Sequence, residues 1–219
     1  QQGQSIDEYI AKKENEVALQ KQKVDDAAQK LHDKRAKKLE KLAAILQEKI
    51  APLGMPNASF EFDLQPTENY YSTGKDQLQL MFSANKGMDF GLLKKTASGG
   101  ELSRIMLVVK SVLASKSNLP TIIFDEIDTG VSGEVASKLG DIMRSMGTKL
   151  QIISITHLPQ VASKAKQHFF VYKDESNDKT FSNIRKLSQQ ERIVEIAKML
   201  SNDEISSEAL KTAEVLLTQ

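Results

Sequence analysis

The stretch Thr121-Ile122-Ile123-Phe124-Asp125-Glu126 decides how the chain is read. A short β-branched and apolar run stops abruptly at two adjacent carboxylates. Such a run predicts a strand buried on both faces, as in a parallel sheet. Ligands of open α/β sheets gather at the carboxyl ends of their strands. Side chains alternate along a strand, so the two carboxylates point to different places. One can hold a magnesium ion, directly or through water, because that ion takes oxygen ligands. The other is free to orient and deprotonate a water. A strand ending in a solvated acidic turn carries the same residues, so the run alone leaves both readings open.

Two neighbours weigh on that choice. Upstream lies Ala97-Ser98-Gly99-Gly100-Glu101-Leu102-Ser103, at the start of a helix predicted over about 100–116. Its apolar face is expected to carry Leu102, Ile105, Met106, Val109, Val112 and Leu113. Backbone N–H groups and the helix dipole favour an anion at such a start, and glycines let a phosphate come close. The plainer reading is a helix entry with Ser98 as N-cap. Downstream, a helix over 133–146 leads to a second buried strand over 150–155, which ends in Thr156-His157. A lone histidine is more often structural. At the end of a strand adjacent to 121–124, His157 would reach the same phosphate as Asp125 and Glu126.

Further out, 59–64 and 77–82 alternate in period two and predict a hairpin, with the polar residues 69–76 as its turn. Residues 84–100 show no clear period. A second hairpin is predicted from 169–172 and 180–184, turning at 175–178. Ser188-Gln189-Gln190-Glu191 has the form of a capping box and opens a helix through Ile193, Ile196, Ala197 and Leu200. A last helix spans about 206–217. Strand and helix alternate through the middle, which predicts an α/β sheet with at least two parallel strands.

Residues 5–50 differ from all of this. They hold no Pro and no Gly, and Ile10, Val17, Val24 and Leu31 recur every seven residues. Leu39, Leu42, Leu46 and Ile50 continue the stripe after a shift of one place. This predicts a long helix with a coiled-coil seam, on the order of 65 Å at ~1.5 Å per residue. A long amphipathic helix lying on its own domain is the alternative. A coil needs a partner strand, and no second heptad segment occurs in the sequence. Pro52, Gly54 and Pro56 end the helix, so the expected division is a coil over 1–50 and a globular part over 51–219.

Composition sets the outer bounds. The 219 residues are 40% hydrophobic and 27% charged, with net charge +1 and no cysteine. Near-neutral charge gives no global case for nucleic-acid binding, so any such affinity must be local. Disulfides and thiolate metal sites are excluded. No apolar run reaches the ~18 residues of a membrane span, and Gln1-Gln2-Gly3-Gln4 lacks the form of a signal peptide. A soluble, cytoplasmic protein is expected. Because translation does not begin with Gln1, the sequence is expected to be part of a longer chain.

Together the motifs resemble those of ABC-type ATPases. Ser98-Gly99-Gly100-Glu101 is similar to the family's signature motif, and Asp125 and Glu126 resemble the Walker B aspartate and its adjacent glutamate. Asp128, in Ile127-Asp128-Thr129-Gly130-Val131, sits where the family has its D-loop. His157 resembles the switch histidine. The longer strings 95–104, 124–133 and 156–162 are similar to the SMC-like group within the family, which includes members acting in double-strand break repair.

The resemblance implies an α/β fold: the C-terminal lobe of an ABC-type P-loop ATPase head, carrying a long N-terminal coiled-coil helix. No G-x-x-x-x-G-K-[ST] occurs, and Gly74-Lys75 is followed by Asp76, so it reads as a turn. In SMC-like proteins the P-loop lies in an N-terminal segment, and the chain returns along a coil to complete the head. The implied cofactors are ATP and Mg2+. The implied partners are the N-terminal half of the same head, a second head in a homodimer, and DNA at the nucleoid, with no membrane. Asp125 would serve magnesium, Glu126 would be the base for the attacking water, and His157 would meet the γ-phosphate. Ser98, Gly99, Gly100, Glu101 and Asp128 would belong to loops that bind nucleotide, the signature loop reaching that of the second head. This part alone would be inactive for lack of a P-loop. Lys34, Arg35, Lys37, Lys38 and Lys41 cluster near the head end of the coil, where a solvated helix face is the plainer reading. A transporter ATPase half and a non-catalytic SMC-like arm are the rival classes.

Overall fold

The computed structural model describes residues 2–114, 116, 119–125, 127–176, 179–201 and 205–218. Two compact units emerge: Gln1–Gln47 with Asn57–Thr96, and Glu48–Pro56 with Ala97–Gln219.

The first unit is built on helix α1, Gln2–Ile50, a continuous helix of 49 residues and about 73 Å. Its seam lies open near the start, where Ile10, Val17 and Val24 are exposed, Val17 at 67%. Leu31, Leu39 and Leu42 are half-buried and Leu46 is buried. A 3₁₀ turn, Ala51–Leu53, follows with Gly54 at φ +78°, so the Pro and Gly cluster stops the helix as expected.

Strands β1, Ser59–Tyr71, and β2, Gly74–Ser83, pair antiparallel with Phe60 opposite Phe82, Phe62 opposite Leu80 and Leu64 opposite Leu78. Directly opposed residues share a face, so these six form one apolar surface. The hairpin is longer than its alternation predicts. Residues 65–71 and 74–76, polar and expected in part as a turn, continue as strand across a register shift between Pro66 and Tyr71. Partners on α1 explain this. Asp76, its side chain 4% exposed, accepts from Arg35 Nη1 at 2.7 Å and lies 2.7 Å from His32 Nδ1. Arg35 Nη2 donates to the Thr73 carbonyl, and Asp25 accepts from Tyr70 and Lys75. Apolar periodicity is blind to such contacts. Strand β3, Gly91–Leu92, pairs with β2, and one helical turn, α2, Leu93–Thr96, closes the unit.

The second unit runs α3 Gly99–Ala114, β4 Thr121–Asp125, α4 Gly133–Met146, β5 Gln151–Ile155, α5 Pro159–Ala162, β6 Phe169–Ser176, β7 Lys179–Lys186, α6 Gln189–Ser201 and α7 Ser207–Thr218. β4 and β5 are parallel neighbours, with Ile122 opposite Ile152 and Asp125 opposite Ile155. The parallel pair is as predicted; its burial is not. Ile122 and Phe124 are buried, whereas Ile123 is 60% exposed, and Ile153 and Ile155 are also open on that face. The α3 face also differs. Ile105, Leu107 and Val108 are buried, while Met106 and Leu113 are exposed. Apolar residues surround this helix, so a 3.6-residue stripe does not single out one side.

On α4, Ala136, Leu139, Gly140 and Met143 are buried, the spacing of an amphipathic helix. Gly140 admits α5: a Cβ there would meet Lys164 Cγ at 3.0 Å and the Gln160 carbonyl at 3.2 Å. α6 and α7 pack through Ile196, Ala197, Ala209 and Ala213 onto Ala162. The capping box forms: Ser188 N–H and Oγ both donate to Glu191 Oε2 at 2.8 Å. The Ser188 N–H, then Arg185 and the Ser188 hydroxyl, hold Glu191 down to about 2. β6 and β7 pair as the second hairpin; the turn expected at 175–178 includes residues 177–178, outside the described residues. Among the described residues no helix is long and apolar enough to cross a membrane.

Candidate functional site

β4 delivers Asp125, exposed, to the carboxyl end of the parallel pair. Glu126 lies outside the described residues. The chain then turns inward. Ile127 is buried and Asp128 is 1% exposed. A turn follows, with the Val131 N–H donating to the Asp128 carbonyl at 3.2 Å. Gly130 and Gly133 hold φ of +74° and +56°, values that only glycine takes without strain.

β5 delivers Thr156 and His157 to the same end. The Thr156 hydroxyl donates to Asp128 Oδ2 and accepts from the Leu158 N–H at 3.0 Å. His157 Nδ1 stands 3.8 Å from the same carboxylate oxygen, with its side chain 73% exposed. Asp128 Oδ1 is buried and has no hydrogen-bond partner among the described residues. The loops after β4 and β5 are therefore tied through a carboxylate and a hydroxyl.

The loop before α3 joins this group. Ser98 caps the helix: its N–H and Oγ donate to Glu101 Oε2 at 2.8 and 2.7 Å, and the Glu101 N–H reaches back to Ser98 Oγ. The Ser98 hydroxyl, then its N–H, hold the Glu101 carboxyl below the usual range. Gly99 and Gly100 belong to the first turn, whose N–H groups find no partner inside a helix. Among the described residues nothing lies within 4 Å of a Cβ built on Gly99. On Gly100 it would lie 3.3 Å from the Thr129 carbonyl and 3.5 Å from Arg104 Nη1. A path of contacts therefore runs from Gly100 to Thr129 and Asp128, and on to Thr156 and His157. Asp125 ends the strand that feeds it.

Thr156 and Thr129 enter this group without a role foreseen from sequence. The Thr156 partner is 28 residues away, beyond the reach of local motifs. The donor set also bears on the metal. Among the described residues no group of three or more His, Cys, Asp or Glu side chains could hold an ion by itself. One exposed carboxylate suits magnesium, which takes one or two from the protein and the rest from phosphates and water. Asp125 fits that use.

No family model matches the chain. It is 35% identical over 212 residues to the "DNA repair protein RecN" of Vibrio cholerae, covering 96% of this chain and 38% of that one. Against the protein of the same name from Rickettsia conorii it is 40% identical over 205 residues, covering 94% and 37%. The chain thus spans a little over a third of the length of these relatives. Among solved structures, the Smc head domain with a coiled coil and joint from Pyrococcus yayanosii superposes with a TM-score of 0.58 at 21% identity, over 90% of this chain and 34% of that one. A structure described under ATP-driven dimerization and DNA stimulated activation of SMC ATPases gives 0.52 at 19%, over 79% of this chain and 99% of that one. The fold is that of SMC ATPase heads with their coiled coil. With this extent of identity added to the order of its motifs, the chain belongs to the RecN family.

Proposed function

We propose that the chain is the C-terminal part of an SMC-like ATPase that acts in DNA double-strand break repair and recombination, in the cytoplasm at the nucleoid. Residues 1–50 are the returning coil and 51–219 the C-terminal half of the head. The observation that carries this reading is the meeting of three loops at one end of β4 and β5: Gly100 against Thr129, and Asp128 tied to Thr156 beside His157.

Bound Mg2+–ATP supplies the reactive phosphoryl group and the metal that neutralises its charge. Asp125 takes the metal side, and Glu126, next in sequence, accepts the proton of the attacking water. His157, exposed beside Asp128, would meet the γ-phosphate. Ser98 and the N–H groups of Gly99 and Gly100 bind the nucleotide of a second head, in a homodimer. The P-loop comes from the N-terminal half of the head. The open face of Ile123, Ile153 and Ile155 supports that partner, because parallel sheets are buried on both faces and two strands alone leave one uncovered. The exposed seam of α1 suits the outgoing helix of the coil.

The test is reconstitution with a P-loop segment supplied as a second polypeptide. The mixture hydrolyses ATP and neither part alone does. Glu126→Gln abolishes turnover and traps an ATP-bound dimer, read by light scattering. Turnover at the normal rate in that variant would remove Glu126 as the base. A stable complex that never hydrolyses ATP would leave a structural arm instead.

A further inference from the structure

We infer that Asp128 and Thr156 are positioning residues for His157, fixing which imidazole nitrogen faces outward. The inference rests on the proposed role of His157. Asp128 is the one charged side chain under 2% exposed among the described residues. Burying a carboxylate is costly unless it is paired or hydrogen-bonded. At 1% exposure Asp128 acts through its neighbours rather than by touching a nucleotide.

Those neighbours form a latch. A threonine hydroxyl has one proton. Here Thr156 gives it to Asp128 Oδ2, and the oxygen accepts the Leu158 N–H at 3.0 Å. The proton and one of the two lone pairs are used, and a β-branched side chain has few rotamers left to it. The turn at 156–158 is thereby fastened to the turn at 128–131. His157 lies inside the fastened segment, so its Cα–Cβ direction is set by bonds on either side of it.

Asp128 Oδ2 then faces one edge of the ring. Nδ1 stands 3.8 Å from it, while the side chain as a whole is 73% exposed. At 3.8 Å there is no hydrogen bond, but the negative charge on that side of the ring favours the N–H on Nδ1 over Nε2. Nε2 is left facing outward, toward the proposed phosphate. Apart from Thr156, no other hydrogen bond to this carboxylate exists among the described residues; Oδ1 is without a partner.

The test uses the 219-residue chain labelled with nitrogen-15 histidine, at about pH 8.5, two units above the ordinary imidazole value. Long-range proton–nitrogen correlation reads the tautomer of each ring, with His32 and His168 as internal controls. His157 is expected mainly as the Nδ1–H form. Asp128→Asn and Thr156→Val shift it to the Nε2–H form, and Thr156→Ser does not. The same tautomer in the wild type and in folded Thr156→Val overturns the inference, and this pair decides it even if Asp128→Asn fails to fold. In the reconstituted head, Thr156→Val lowers kcat about 10- to 100-fold, the order expected when a group that meets the reacting phosphate is misplaced. KM for ATP stays within about twofold, and Thr156→Ser restores kcat. If the wild-type head hydrolyses no ATP, the functional reading fails, while the tautomer measurement still decides this one.

Discussion

Gly99 and Gly100 are adjacent and identical, yet their surroundings differ. A Cβ on Gly99 meets none of the described residues within 4 Å; on Gly100 it meets the Thr129 carbonyl at 3.3 Å. Gly99→Ala is therefore expected to be neutral or stabilising by up to about 1 kcal/mol, since alanine suits a helix better than glycine. Gly100→Ala must push the loop after β4 and is expected to cost about 1–2 kcal/mol, the range of overpacking. Urea unfolding midpoints compare the two directly, and equal midpoints would remove the contact between Gly100 and Thr129. Sequence reading saw both glycines only as places for a phosphate. It singled out Asp125, Ser98 and His157 because each sits in a local string with its own chemistry. It did not find the bond from Thr156 to Asp128, because nothing local in either string encodes a partner 28 residues away.

Between residues and whole molecule stands the contact of the first hairpin with α1. Burial would raise the Asp76 carboxyl, but the hydrogen bonds from Arg35 and His32 outweigh it and hold the group below its ordinary value of 3.8. A depressed carboxylate stabilises the folded form above its unfolded value and loses that contribution as pH falls through the lower folded value. The tip of the hairpin is thus expected to be held at neutral pH and to loosen only in acid. Asp76→Asn should loosen it already at pH 7, with amide exchange about tenfold faster in β1 and β2 near the tip, in line with losing a charge-assisted hydrogen bond. The ends near Phe60 and Phe82 should not change. Unaltered exchange at the tip would mean that Asp76 does not hold it. This element also shows where periodicity stops being informative. The apolar ends of β1 and β2 and the Ser188 cap were legible because each depends on neighbours in sequence, and the parallel pair because strand and helix alternate there. The polar half of the hairpin depends on α1, tens of residues away. The burial expected for both faces of β4 failed for a related reason: an apolar run records what a strand can bury, and Ile123, Ile153 and Ile155 are uncovered here.

Over the whole molecule, net charge of +1 hides a local asymmetry. Lys23, Lys30, Lys34, Lys37, Lys38 and Lys41 recur at helical spacing along one side of α1, over about 27 Å, and all are exposed. Among the described residues none of the six forms an ion pair. Arg35, grouped with this patch in sequence, turns instead toward the hairpin, where it holds Asp76 and the Thr73 carbonyl. A one-sided row of cations matches the proposed DNA partner through its phosphates. Each phosphate neutralised adds about 0.9 to the slope of log affinity against log salt, and base sequence contributes nothing. Replacing Lys34, Lys37, Lys38 and Lys41 by alanine should weaken binding of a short duplex equally for unrelated sequences. It should also flatten the salt slope by up to about 3.6 units if all four meet phosphates. Arg35→Ala should leave the slope unchanged, because that guanidinium faces the hairpin. Fluorescence anisotropy across a salt series measures both quantities. An unchanged slope in the four-lysine variant would make the row a solvated face and send the search for the DNA contact elsewhere on the head.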